Sequence, residues 1–223
     1  MKIRCSALGQ VMTNSRKKGE LSKTAQSYVK KWLKEKQYDR RIVFSSKQIE
    51  KGLIMEDEAI DFVGEYYNLG FVLKNEEHFS NDFVTGTPDL ITEDTVRDIK
   101  CSWSLDTFPA YESELPNKDY YWQLQGYMWL TGKDVAYLDY CLMNTPEHLI
   151  QSELRAEAYR HAENTLSDKQ EARIRRRMTF DDVPAQLRIK TFEVSRNEED
   201  IEAIKERVNE CNTYMNQIKI KLS

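Results

Sequence analysis

Asp89, Asp98 and Lys100 fall within twelve positions of one another. The stretch runs Gly86-Thr87-Pro88-Asp89-Leu90-Ile91, then Thr92-Glu93-Asp94, then Thr95-Val96-Arg97-Asp98-Ile99-Lys100-Cys101. It reads as two short strands joined by a polar turn. Pro88 is confined to the start of the first strand, because it has no N–H to give a ladder. In the second strand a period of two puts Val96, Asp98, Lys100 and Ser102 on one face. Ile99, Cys101 and Trp103 take the other. Asp89 lies one hairpin turn away and reaches the same spot. Two carboxylates suit a hard cation such as Mg²⁺, which prefers oxygen ligands and keeps several waters. Such a cation makes water a nucleophile, and a neighbouring lysine stabilises charge growing on a phosphoryl oxygen. An isolated D-x-K triplet is more simply a solvated strand face, with Glu93 and Asp94 as turn residues. The chemical reading therefore rests on the flanking sequence.

The chain has 223 residues and 40% hydrophobic content, enough for one domain with its own core. A single domain over 1–223 is expected, with the core at about 48–143, a basic helical part at 1–47, and helices plus a late strand at 144–223. No apolar run approaches the roughly 18 residues of a membrane span, and the first residues carry no signal-peptide pattern. A cytoplasmic protein with no membrane association is the expectation. Cys5, Cys101, Cys141 and Cys211 are far apart with no C-x-x-C spacing. They read as reduced thiols, which speaks against a zinc site and an iron–sulfur cluster. Net charge is −4, but it is unevenly spread. Up to Lys51 there are 14 Lys/Arg against four acids, a surplus of ten, so the remainder carries about −14. A basic segment beside an acidic site suits a polyanionic substrate held near a metal; lysines of a solvated helix would give a similar count.

Several elements must position these residues. Ser6 is a candidate cap for a short apolar helix within Arg4 to Met12. Ser22 caps an amphipathic helix with Ala25, Tyr28, Val29, Trp32 and Leu33 on one face. Its other face carries Lys30, Lys31 and Lys34, a candidate phosphate-tracking row. Gln48 to Leu69 reads as a helix apolar nearly all round, hence buried. Glu56 inside it needs a partner, a cation shared with Asp89 and Asp98 being one, unless it lies at an exposed edge beside Asp57 and Glu58. Phe71–Lys74 and Glu77–Val84 read as strands. A loop with Pro109 and Pro116 leads to a helix over Asp119–Thr131, where Gln123 and Tyr127 share a face at i, i+4. Then come a strand at Asp134–Met143, a helix from Glu147 to about Asn164, a basic cluster at Arg173–Arg177, a strand at Leu187–Val194 and an amphipathic terminal helix over Arg196–Ile218.

Four blocks in this order resemble the lambda-type phage recombination exonucleases (YqaJ-like viral recombinases) of the PD-(D/E)XK superfamily. They are Arg4-Cys5-Ser6-Ala7-Leu8; Gly52-x-x-x-Glu56-Asp57-Glu58-Ala59; Thr87-Pro88-Asp89-Leu90 with Asp98-Ile99-Lys100-Cys101; and Gln123-Leu124-Gln125-Gly126-Tyr127-Met128-Trp129-Leu130-Thr131. The resemblance covers roughly Arg4 to Met143. It implies an α/β (α+β) restriction-endonuclease-like core, with a central mixed sheet flanked by helices and helical elaborations at both ends. It implies a 5′→3′ exonuclease on double-stranded DNA ends that leaves 3′ single-stranded tails for recombination. Glu56, Asp89, Asp98 and the Ile99 carbonyl would bind one or two Mg²⁺ ions, with Mn²⁺ as a substitute. Lys100 would orient or deprotonate the attacking water, and Gln123 would help position that water or the scissile phosphate. Arg4, Ser6, Thr87 and Tyr127 would contact DNA, with Ser6 and Thr87 at the terminal 5′-phosphate. The family's assemblies, toroidal homo-trimers working with a single-strand annealing protein, are further implications.

The sequence departs from the pattern at four places. No clear arginine precedes the Arg4-Cys5-Ser6 block, Thr87 stands for Ser, Leu90 for Gly, and Asp98 for Glu. The missing arginine leaves 5′-phosphate dependence open. Two alternatives stand beside the exonuclease: a structure-specific or nicking endonuclease of the same fold, and a non-catalytic DNA-binding scaffold. The latter would have lost a metal ligand, and none is lost.

Overall fold

In the computed structural model the described residues are 1–161 and 165–222, with 219–222 described by backbone alone. The centre is a four-stranded sheet in the order β4 (Leu90–Ile91), β5 (Thr95–Cys101), β6 (Val135–Cys141), β7 (Ile189–Ser195). β4 and β5 form the expected hairpin, pairing Leu90 with Arg97 and Ile91 with Val96. β5 and β6 are parallel, with Asp98 opposite Leu138 and Lys100 opposite Tyr140. Parallel neighbours need a crossover, and helix α4 (Lys118–Thr131) lies on it. β7 closes the sheet antiparallel to β6, Phe192 facing Leu138.

Both faces of β5 are covered, as for a central strand. On one face Val96 packs with Leu124 and Met128 of α4. On the other Ile99 packs with Met55, Ala59, Ile60 and Val63 of α3 (Lys47–Tyr66). The N-terminus adds a second, three-stranded sheet. β1 (Ile3–Arg4) runs parallel to β3 (Val84–Gly86), and β2 (Phe79–Ser80) is antiparallel to it. A 3-10 turn over Cys5–Ala7 and the short α1 (Leu8–Val11) then press on α4. The approach is close enough to require glycine. A Cβ on Gly126 would lie 2.6 Å from Leu8 Cδ1, and one on Gly9 would lie 2.4 Å from Asp119 Cα.

The helix ends follow their sequence signals. Ser22 accepts from Ala25 N at 3.0 Å at the start of α2 (Lys23–Gln37), and Ser46 accepts from Ile49 N at 3.3 Å at the start of α3. Asn117 accepts from Asp119 N at 2.8 Å, and Gly132 ends α4 in the left-handed region at φ +70°. α5 (Glu147–Arg160) and α6 (Asp168–Met178) pair through Ile150, Leu154, Ile174 and Met178. The expected last turn of α5, to Asn164, lies outside the described residues. α7 (Glu198–Leu222) buries Ile201, Ile204, Val208, Cys211 and Met215 as its stripe predicts.

Three expectations are corrected. Ser6 caps no helix; it is exposed within the 3-10 turn, where no side-chain cap forms. α3 is not buried all round, since Leu53 is 69% and Ile54 49% exposed while the Lys51–Met55–Ala59–Val63 stripe faces inward. Residues 71–78 form no strand; Phe71 and Leu73 are exposed, so no sheet face recruits them. No helix among the described residues is long and apolar enough to cross a membrane.

Candidate active site

The β4–β5 hairpin brings Asp89 and Asp98 together as the period of two requires. Asp89 precedes β4, and its Oδ2 accepts the Ile99 amide at 2.6 Å. Asp98 points from mid-β5 toward α4 and is 1% exposed. Its Oδ1 accepts from Gln123 Nε2 at 2.9 Å, and the same nitrogen lies 3.0 Å from Tyr127 Oη one turn on. Asp98 Oδ2 pairs with Lys100 Nζ at 2.5 Å. Lys100 also lies over the Tyr120 ring, 5.2 Å from its centroid.

Electrostatics sharpen this picture. Burial first, and then the charge of Asp98, push Asp89 up to about 7. Burial also pushes Asp98 upward, while Lys100 pulls in the other direction. Burial lowers the affinity of Lys100 for its proton, but Asp98 and Asp89 outweigh it, so Lys100 is held cationic. Two carboxylates resisting simultaneous ionisation beside one ammonium are short of positive charge. The all-oxygen donor set of Asp89 and Asp98 fits a hard divalent cation. The four cysteines are free. Burial pushes Cys101 up to about 12 and Cys211 to about 11, so neither is poised as a nucleophile or soft-metal ligand.

Glu56 lies in the same cleft as Asp89 and Lys100 but is engaged elsewhere. Its Oε2 accepts from Lys74 Nζ at 2.6 Å, and Lys74 also bridges Asp57 at 3.0 Å. Among the described residues no three His, Cys, Asp or Glu side chains are gathered as a ready cation cage. Glu56 must leave Lys74 to join Asp89 and Asp98. Freeing it should therefore help. Lys74→Gln is expected to lower the half-saturating Mg²⁺ concentration about two- to fivefold, the scale of a half-exposed ion pair. A Mg²⁺ titration followed by thermal shift reads this, and a raised half-saturation would show that Lys74 positions Glu56 rather than sequestering it.

The cleft holds about 980 Å³ and runs from these groups past Arg4, Ser6, Lys31 and Arg41. Lys30 and Lys34 are exposed on α2 beyond its lining. Two expected DNA contacts fall elsewhere. Thr87 is absent from the lining, and its hydroxyl meets His78 Nδ1 at 3.0 Å. Tyr127 is 5% exposed in the core, because its ring fills the space beside Gly86. It supports Gln123 instead of facing solvent.

Lys51 escaped the reading of motifs, though its place on the Met55–Ala59–Val63 stripe marks it as inward-facing. It is fully buried, donates to the Trp103 carbonyl at 3.1 Å, and lies 5.9 and 5.6 Å from the Trp103 and Phe180 ring centroids. Burial pulls it down to about 8. Between that value and about 10.4 the unfolded chain binds more protons, so wild-type stability rises with pH. Lys51→Met should have the higher Tm at pH 7, with the advantage shrinking as pH climbs from 8 toward 10. A constant difference across that range would show that Lys51 is not desolvated.

Neither a family model nor a curated protein sequence matches the chain. Solved structures do. A phage-related exonuclease from Haemophilus somnus 129PT is 29% identical, aligned over 100% of this chain and 97% of that one with a TM-score of 0.83. The alkaline exonuclease LHK-Exo from Laribacter hongkongensis is 14% identical, aligned over 99% and 93% with a TM-score of 0.65. The same enzyme in complex with dAMP gives 15% and 0.64. The mixed α/β architecture is thus the restriction-endonuclease-like one expected from the sequence.

Proposed function

We propose, from its place among the viral-recombinase-type nucleases of the PD-(D/E)XK superfamily, that this chain is a Mg²⁺-dependent 5′→3′ exonuclease on double-stranded DNA ends. The observation that carries the proposal is the Asp89–Asp98–Lys100–Gln123 cluster, with Asp98 and Gln123 buried and Asp89 and Lys100 half-buried, in a cleft also lined by Arg4, Lys31 and Arg41. Asp89, Asp98 and the Ile99 carbonyl would hold Mg²⁺, or Mn²⁺ in its place, with Glu56 joining once released from Lys74. One or two such cations would supply Lewis-acid stabilisation of the phosphoryl oxygens and a lowered pKa for water.

The chain's own groups do the rest. Arg4, Lys31 and Arg41 attract the phosphate backbone into the cleft. The exposed Ser6 hydroxyl lies on its wall, available to a terminal 5′-phosphate. Lys100, held cationic, stabilises the charge gathering on the phosphoryl group as water adds to phosphorus and the P–O3′ bond breaks. In the same position it can orient the attacking water or take its proton. Gln123 fixes Asp98 by one hydrogen bond, and Tyr127 fixes Gln123. Removing one strand from its 5′ end leaves a 3′ single-stranded tail, the substrate of a single-strand annealing partner. A ring-shaped homo-trimer around the DNA belongs to the same reading.

The test compares a linear duplex bearing 5′-phosphate or 5′-hydroxyl ends with a covalently closed circle, with Mg²⁺ and with chelator. Metal-dependent loss of the linear DNA alone is expected, faster with 5′-phosphate. Cutting of the closed circle would instead establish an endonuclease.

A further inference from the structure

We infer that the groove between α6 and the loop after β5 is a second phosphate track, which holds the single strand spared by the active site. The inference rests on the exonuclease reading above and concerns a different surface. The groove holds about 640 Å³ and is lined by Trp103, Leu105, Arg160, Arg173, Arg176 and Arg177. Arg173, Arg176 and Arg177 share one face of α6 at i, i+3, i+4. At 1.5 Å rise per residue they span about 6 Å along the helix, room for neighbouring phosphates of one strand.

The charge balance in the groove is positive. Arg160 pairs with Glu157 at 2.7 Å, and Arg173 approaches the same carboxylate at 3.6 Å. Glu153, on the groove wall, is matched by Lys47 at 2.8 Å. Arg176 and Arg177 are exposed and have no hydrogen-bond or ion-pair partner among the described residues. Among the described residues that line the groove, Asp106 is the acid left to oppose them. A second cation stands behind the wall. Lys51 is fully buried, has no carboxylate partner among the described residues, and lies against the rings of Trp103 and Phe180, both of which line the groove. A buried ammonium without a counter-ion raises the potential on the surface next to it.

Continuity with the active site gives the track its role. Trp103 lines both the catalytic cleft and this groove, so the strand parted from its cut complement at the cleft has the groove beside it. The half-buried Trp103 and the 63% exposed Leu105 offer apolar surface between the arginines. Arginines along a groove with an aromatic wall are the composition of single-strand tracks, where bases stack while cations follow the backbone.

The experiment measures anisotropy of a fluorescent oligothymidine of about 15 nucleotides in chelator, across a salt series, for the full chain. The double variant Arg176→Gln/Arg177→Gln should bind about tenfold more weakly, with a log–log salt slope reduced by about 1.4, or 0.7 per lost contact. A control pair on neighbouring exposed positions, Arg155→Gln/Lys169→Gln, should keep the wild-type slope. First-nucleotide release from a duplex with Mg²⁺ should be unchanged in the double variant. Unaltered affinity and slope, with wild-type cleavage intact, overturn the groove and leave the exonuclease reading standing. A wild type that never cleaves overturns the exonuclease reading, and with it the strand's assignment. An equal loss of affinity for a blunt duplex of the same length overturns the single-strand assignment.

Discussion

Lys100→Ala is expected to lower kcat for DNA cleavage by about 10³-fold or more, while Kd for a duplex end measured without metal changes by less than about threefold. The size follows from position. Lys100 Nζ lies 2.5 Å from Asp98, and Asp98 and Asp89 together keep it protonated despite burial. A half-buried cation held in place by two carboxylates stabilises developing phosphoryl charge more than one in bulk solvent. It pairs with Asp98 on β5, whereas Arg4, Lys31 and Arg41 line the same cleft from other elements and offer phosphate contacts of their own. Binding and chemistry should therefore separate. Single-turnover cleavage beside anisotropy with an end-labelled duplex measures both. Cleavage surviving within tenfold would remove Lys100 from the chemistry, and a matching loss of binding would make it a docking residue.

Asp139→Ala should carry the largest stability cost, about 3–5 kcal/mol, or a fall in Tm on the order of 10 °C. Asp139 is 0% and Arg97 6% exposed, with Arg97 Nη1 reaching the two carboxylate oxygens at 3.0 and 2.8 Å. The guanidinium is flanked by Tyr137 and Tyr67 at 4.3 and 5.0 Å, and the Thr191 hydroxyl donates to Asp139. Removing Asp139 leaves a buried, uncompensated charge between two rings. Removing both charges does not, so Arg97→Met/Asp139→Leu should recover most of the loss. Thermal melts of the three variants decide the matter. A single variant within 2 °C of wild type would mean that water reaches Arg97 and the pair is not desolvated.

The β4–β5 hairpin was legible because its signals are local. A period of two placed Asp98 and Lys100 on one face, and a three-residue turn returned Asp89 to them. The i, i+4 spacing likewise placed Gln123 beside Tyr127. What the spacing left open was which of the two faces the cleft, and burial settles that for Tyr127. Partners distant in sequence left no local signal. Lys74 claims Glu56 from a segment that forms no strand, and Arg97 meets Asp139 only because β5 and β6 lie parallel in a given register. The two-residue β1 is too short to show a period, although its parallel pairing of Ile3 with Val84 anchors the N-terminus beside the site. Helix α3 misled because apolar residues on both of its faces look like burial. One face packs on β5 and the other, with Leu53 and Ile54, is open.

The polarity of cleavage is read most directly from the fate of each end of one linear duplex carrying distinct labels at the 5′ and 3′ ends of the same strand, with Mg²⁺. The 5′ label should be released at once as a mononucleotide, the 3′ label should persist on a shortening strand, and both should stay intact with chelator or in Asp98→Asn. Release of the 3′ label first, or of internal fragments carrying neither label, would contradict 5′→3′ exonuclease action.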